Sequence, residues 1–146
     1  MNSKTLLSAL LILLISCSRE NDSIAPPKTA TELLTQKTWT LNSHGPDNNN
    51  NKVLDPSEDV ALTCERDNTL DFYNDGTVVF KENAIACGSG LSEFSFNWQF
   101  VNNEKTIDFV NTTVQVLKLT DQELITYYEE ANGNGGTTGF INVFRH

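Results

Sequence analysis

Residues 92–100, Ser-Glu-Phe-Ser-Phe-Asn-Trp-Gln-Phe, alternate polar and apolar from Glu93 onward. Successive side chains of a strand point to opposite faces, so Phe94, Phe96, Trp98 and Phe100 share one face, opposite Ser95, Asn97 and Gln99. A strand pattern recurs at 38–42, with Trp39 and Leu41 on one face, and at 69–73, 77–82, 106–109, 114–119, 123–130 and 138–145. The connections are short and polar: Asn102-Asn103-Glu104, Asn111-Thr112-Thr113, Thr120-Asp121-Gln122 and the Gly-rich 132–136. A helical signal precedes the strands. Thr29-Ala30-Thr31-Glu32 reads as a capping box followed by Leu33-Leu34, which predicts a helix of about two turns ending near Gln36. About eight strands in sequence, with no long crossover, predict an all-β fold: an up-and-down antiparallel β-barrel behind one short N-terminal helix. An open, strongly curled half-barrel is the competing geometry, and either encloses a cavity or cleft.

The strands at 69–73 and 77–82 form a hairpin around Asp75-Gly76. This dipeptide is a signal for a two-residue type I′ turn, because Gly tolerates positive φ and Asp tolerates the left-handed region. Such a loop sets the register, with Phe72 facing Val79 and Leu70 facing Lys81. Cys64 and Cys87 are equidistant from the turn along the two arms, so a bridge between them would cross-link the base of the hairpin.

Composition changes the picture at the N-terminus. Lys4 precedes an apolar run over 6–15, interrupted by Ser8, that is too short for a permanent membrane span. It reads as a signal peptide over 1–16, and its closing Leu14-Ile15-Ser16-Cys17 resembles the lipobox of bacterial lipoproteins. That resemblance implies cleavage before Cys17, acylation of its thiol and amine, and anchoring in a membrane by several acyl chains. Ser18 resembles the sorting pattern of outer-membrane lipoproteins of diderm bacteria, facing periplasm or cell surface. Residues 17–28, with Pro26-Pro27 near their end, read as lipidated Cys and tether, and 29–146 as the single barrel domain.

Loss of Lys4 leaves nine basic against nineteen acidic residues, which takes the net charge from -9 to -10. Such a surface repels nucleic acid, so no nucleic-acid partner is expected. With Cys17 lipidated, two cysteines remain in an oxidising compartment, and an even count there favours a Cys64–Cys87 disulfide. Oligomeric state is not encoded in any motif of the chain.

The residues around the first strand and the hairpin resemble a family. Leu34-Thr35-Gln36-Lys37-Thr38-Trp39 after a short helix is similar to the opening of the lipocalin-like domain lipoproteins of diderm bacteria. The run from Cys64 through Asp67, Asn68 and Phe72 to Asp75-Gly76-Thr77, then Cys87 and Trp98-Gln99-Phe100, resembles the family's core pattern. Gln36-Lys37 departs from it, standing where a Gly is expected. The resemblance covers residues 31–146 and implies a lipocalin-like (calycin) barrel. It also implies that Trp39 closes the barrel base with Arg145 lying over it, as a structural pair.

Residues 47–58 form the middle of a polar excursion and resemble an EF-hand calcium loop. Oxygen ligands fall at Asp47, Asn49, Asn51, the Val53 carbonyl, Asp55 and Glu58, with Leu54 at the apolar eighth position. Lys52 takes the sixth position, which normally holds Gly, and a weak Ca2+ site is the expectation. The alternative is an Asn-rich flexible loop.

No nucleophile–base–acid set emerges, since His44 lies in the excursion and His146 at the end, so no enzymatic activity is expected. The sequence leads instead to a lipid-anchored lipocalin-like binding protein of the cell envelope holding a small apolar ligand, with Phe72, Phe94, Phe96 and Trp98 as candidate ligand residues. The same aromatic stripe is equally the material of a plain core. The alternative function is a calcium-stabilised structural or interaction module on the cell surface, with a filled barrel.

Overall fold

The computed structural model describes residues 26–88, 92–109, 112–133 and 135–146. The expected signal peptide, Cys17 and the start of the tether lie outside the described residues. Thr29 caps α1 (Ala30–Thr35): its hydroxyl accepts from the Glu32 amide at 3.1 Å while the Glu32 carboxylate accepts from the Thr29 amide at 2.7 Å. This is the predicted capping box. Nine strands follow: β1 (Trp39–Pro46), β2 (Thr69–Phe72), β3 (Thr77–Lys81), β4 (Glu93–Asn97), β5 (Gln99–Val101), β6 (Thr106–Asp108), β7 (Thr113–Leu119), β8 (Glu123–Ala131) and β9 (Thr137–Arg145).

Every pairing is antiparallel, in the order β4-β3-β2-β1-β9-β8-β7-β6-β5. The two ends of that order, β4 and β5, are successive pieces of one stretch of chain joined at Trp98. The expected strand over 92–100 is therefore broken in the middle: its first half pairs with β3 and its second with β6. Counted as one bent strand, it closes an eight-membered ring, and the all-β up-and-down barrel expected from the pattern is the fold. The break has a visible cause. The Trp98 amide turns to the Gly76 carbonyl at 2.7 Å, and the indole Nε1 donates to the Tyr73 and Thr77 carbonyls at 3.2 and 3.1 Å.

The hairpin forms with a different turn. Phe72 pairs with Val78 and Leu70 with Phe80, one position from the expected register. Gly76 has a positive φ of 84° whereas Asp75 does not, and the Asp75 carboxylate accepts from the Thr77 amide at 2.9 Å. With one left-handed residue instead of two, the loop holds three residues and ends in a glycine bulge. The shift brings the inward residues into line, because Leu70, Phe72, Val78, Phe80, Phe94 and Phe96 now occupy one face of β2–β3–β4.

Buried Leu34, Trp39, Phe72, Val78, Trp98, Ile107, Val114 and Leu124 make the core inside the ring. Leu34 carries α1 onto the barrel base, where the Trp39 indole donates to its carbonyl at 2.8 Å. The expected lid on Trp39 is corrected: His146, not Arg145, lies over the indole, at 3.8 Å between ring centroids. The register explains the exchange. Thr40 pairs with Arg145, on the outward side of β9, so the next residue falls over Trp39. Arg145 instead binds Glu123 at 3.0 Å, and the His146 ring reaches the Thr38 carbonyl at 2.7 Å.

Candidate functional site

β1 runs past the expected end of the first strand, to Pro46, and holds β9 along this whole length, but pairs with β2 only at Trp39 and Thr40. Beyond Thr40 the two strands part. The segment before β2 is drawn into the gap, with the Leu41 amide donating to the Asn68 carbonyl at 3.0 Å. A bulge sets which side chains look in. Leu41 pairs with Phe144 and Ser43 with Val143, so Asn42 is the extra residue. Strict alternation from Leu41 would put His44 outside; the bulge restarts the count and brings it to the inner face opposite Asn142.

A cavity of about 330 Å3 occupies this gap. Leu41, Leu70, Phe80, Tyr128 and Phe144 form its apolar wall, and His44, Glu65, Asn68, Thr69 and Asn142 its polar part. Beneath it a chamber of about 80 Å3, sharing Leu70, Asn142 and Phe144, reaches Phe72, Ile107 and Phe109 in the barrel interior. The upper volume falls in the range of small-molecule sites, and the lower one extends its apolar floor. A larger groove of about 480 Å3 along Thr40, Leu41, Asn42, Arg66, Arg145 and His146 is an open surface channel. Volume alone does not make a binding site, and the mouth cavity is the one with an apolar wall and convergent polar groups.

His44 Nε2 lies 3.1 Å from Glu65 Oε2. A carboxylate only accepts, so Nε2 carries the proton in neutral His44 and Nδ1 is left as an acceptor. Glu65 Oε2 also accepts from the Leu62 amide at 2.7 Å, which fixes the carboxylate. Asn68 Oδ1 is buried with no hydrogen-bond partner among the described residues. Burial, and then the charge of Glu130, raises the Tyr128 phenol above its ordinary value and keeps it protonated. Among the described residues no hydroxyl or thiol is hydrogen-bonded to the His44 ring.

The Cys64–Cys87 disulfide forms as expected, with 5.2 Å between Cα atoms. It ties the segment bearing Glu65 and Asn68 to the β3–β4 connection. Closing such a loop stabilises the fold by roughly 3 kcal/mol in the chain-entropy treatment.

Of the aromatic candidates, Phe72 borders the lower chamber, while Trp98 is buried and held by the hairpin carbonyls. Phe96 packs against the core and touches Phe109 at 5.4 Å. Phe94 stacks on Phe80 at 4.8 Å, one layer behind the cavity wall. It shares the inward face yet is 45% exposed, so the barrel interior is open to solvent at this end. Sequence reasoning missed His44, Glu65, Asn68, Tyr128 and Asn142. The bulge at Asn42 hides His44, and only the spacing to Cys64 pointed towards Glu65 and Asn68.

The 47–58 loop crosses the outer face of β1 and β9. Asp47 and Glu58 are buried, and Asn50 and Lys52 take positive φ. The Asp47 carboxylate accepts from the amides of Asn51 and Lys52, each at 3.0 Å, and Glu58 from those of Asn48 and Asp55 at 2.8 and 3.1 Å. Asn49 Oδ1 and Asn51 Oδ1 accept from the Asn51 and Val53 amides, and Asn49 Nδ2 donates to Asp55 at 2.9 Å. Among the described residues no three carboxylate, His or Cys side chains converge as a metal-holding group.

No protein-family model matches the chain, and no curated protein does. Among solved structures the chain is similar to bovine odorant-binding protein. A complex with a selenium-containing odorant shows 14% identity and a TM-score of 0.45, over 82% of this chain and 73% of that one. A deswapped triple mutant shows 14% identity and a TM-score of 0.43, over 75% and 72%. The form with its natural ligand shows 15% identity and a TM-score of 0.42, over 82% and 74%.

Proposed function

We propose that this chain is a lipid-anchored lipocalin-like binding protein of the cell envelope that holds a small, largely apolar ligand at the barrel mouth. The observation that carries the reading is the cavity of about 330 Å3 between the parted ends of β1 and β2, with five apolar side chains on its wall. The anchor rests on the lipobox-like Leu14-Ile15-Ser16-Cys17. The test is fluorescence titration with N-phenyl-1-naphthylamine. Saturable one-to-one binding by the parent chain, abolished in Leu70→Trp, which fills the cavity, is the expected result. Equal binding by a folded Leu70→Trp variant, or none by the parent, overturns the reading. Labelled palmitate incorporated in the native host and lost in Cys17→Ser tests the anchor.

The second reading, a calcium-stabilised surface module, draws support from the left-handed backbone at Lys52, the sixth position of the calcium-loop pattern. A calcium-dependent rise in melting temperature that Glu58→Ala removes would favour it; identical melting in calcium and in chelator would remove it.

A further inference from the structure

The polar part of the mouth cavity is one-sided in its charge. Its single charged side chain among the described lining residues is the Glu65 carboxylate, and neither Lys nor Arg joins it. Glu65 Oε2 is occupied by the Leu62 amide and His44 Nε2, whereas no described group bonds Glu65 Oε1. His44 Nδ1, the acceptor left by that tautomer, adds a second acceptor. Phe80 and Tyr128 supply aromatic rings on the same wall, and a ring face attracts a cation.

Resting on the binding reading above, we infer that the mouth cavity selects small lipophilic amines, taking the ammonium group at Glu65 and His44 and the alkyl or aryl body against Leu70, Phe80 and Phe144. An ammonium has three donors and no acceptor, which matches a cluster that offers acceptors. A fatty acid would bring a second carboxylate beside Glu65, with no lining cation to meet it and a chain of net charge -9 around it. An alcohol carries a single donor and no charge.

Calorimetric titration of the purified, oxidised chain with octylamine, octanol and octanoate at neutral pH separates these cases, because the three probes share one apolar body. Octylamine is expected to bind at least tenfold more tightly than octanol, and octanoate more weakly than either. In Glu65→Gln, shown to be folded by its melting transition, the preference for octylamine over octanol is expected to shrink to about threefold or less. Octanoate or octanol binding as tightly as octylamine overturns the amine preference and leaves the binding reading standing. An amine preference that persists undiminished in Glu65→Gln overturns the assignment to Glu65. Absence of binding by all three probes and by N-phenyl-1-naphthylamine overturns the binding reading itself.

Discussion

At the scale of single residues, Gly45 shows how closely the excursion is seated. A Cβ built there would lie 1.8 Å from the Glu58 carbonyl oxygen and 3.2 Å from the Leu54 side chain. The obstruction is backbone, which cannot rotate away, so Gly45→Ala is expected to lift the 47–58 loop and cost about 1 to 3 kcal/mol, as overpacking does. Urea denaturation of parent and variant reads the loss, and unchanged stability would mean that the loop does not rest on β1. Gly139, in the neighbouring strand, meets the Tyr127 ring, 2.6 Å from its hypothetical Cβ, an obstruction that is side chain and not backbone. Neither requirement is legible in the sequence: Gly139 falls within a strand pattern that a larger residue would fit equally well, and Gly45 lies in the polar excursion beyond the expected first strand. His44 is hidden for a related reason. Its inward position depends on one bulged residue, Asn42, whereas Trp39 and Leu41, which precede the bulge, face as the alternation predicts.

At the scale of elements, the 47–58 loop is organised by its carboxylates acting on its own backbone. Asp47 and Glu58 each accept two main-chain amides while buried, at 3% and 6% exposure. Removing either carboxylate strands buried donors, so Asp47→Ala is expected to cost about 1 to 3 kcal/mol even in the presence of chelator. Equilibrium unfolding in EDTA measures this, and a cost that appears only in calcium would show that the amides are not what the carboxylate supports. The oxygen pattern that the sequence offers as a calcium loop serves in the structure to hold the loop's own amides, and Asn50 and Lys52 adopt left-handed backbone. The helix cap and the disulfide were legible, since each depends on local chemistry or on residue count. The hairpin register and the break at Trp98 were not. Both depend on tertiary partners: one on which of two turn residues goes left-handed, the other on carbonyls of a distant hairpin competing for the Trp98 amide and indole.

At the scale of the whole molecule, two cross-links hold opposite ends of the barrel. At the base, Glu123 of β8 joins Lys118 of β7 at 2.8 Å and Arg145 of β9 at 3.0 Å. The Lys118 hydrogen bond lowers the Glu123 pKa most; burial opposes it and Arg145 adds to it, so the folded value lies below the ordinary one. A depressed carboxylate contributes stability that is present above its unfolded pKa of about 4.3 and is lost as pH falls through the folded value. Glu123→Gln is therefore expected to melt below the parent at neutral pH, with the gap closing as pH falls below the ordinary carboxylate range; a gap independent of pH would assign its effect to packing. At the mouth, the Cys64–Cys87 bridge fixes the segment that carries Glu65 and Asn68, which β2 holds only from Thr69 onward. Replacing both cysteines by Ser is expected to lower stability by roughly 3 kcal/mol through the unfolded chain. Site and scaffold share that segment, so binding should respond as well. At a temperature where the double variant is fully folded, its affinity for N-phenyl-1-naphthylamine is expected to fall several-fold, because the polar side of the cavity must then be ordered by the ligand itself. Unchanged affinity with a lowered melting temperature would confine the bridge to stability and make β1, β8 and β9 sufficient to hold the site.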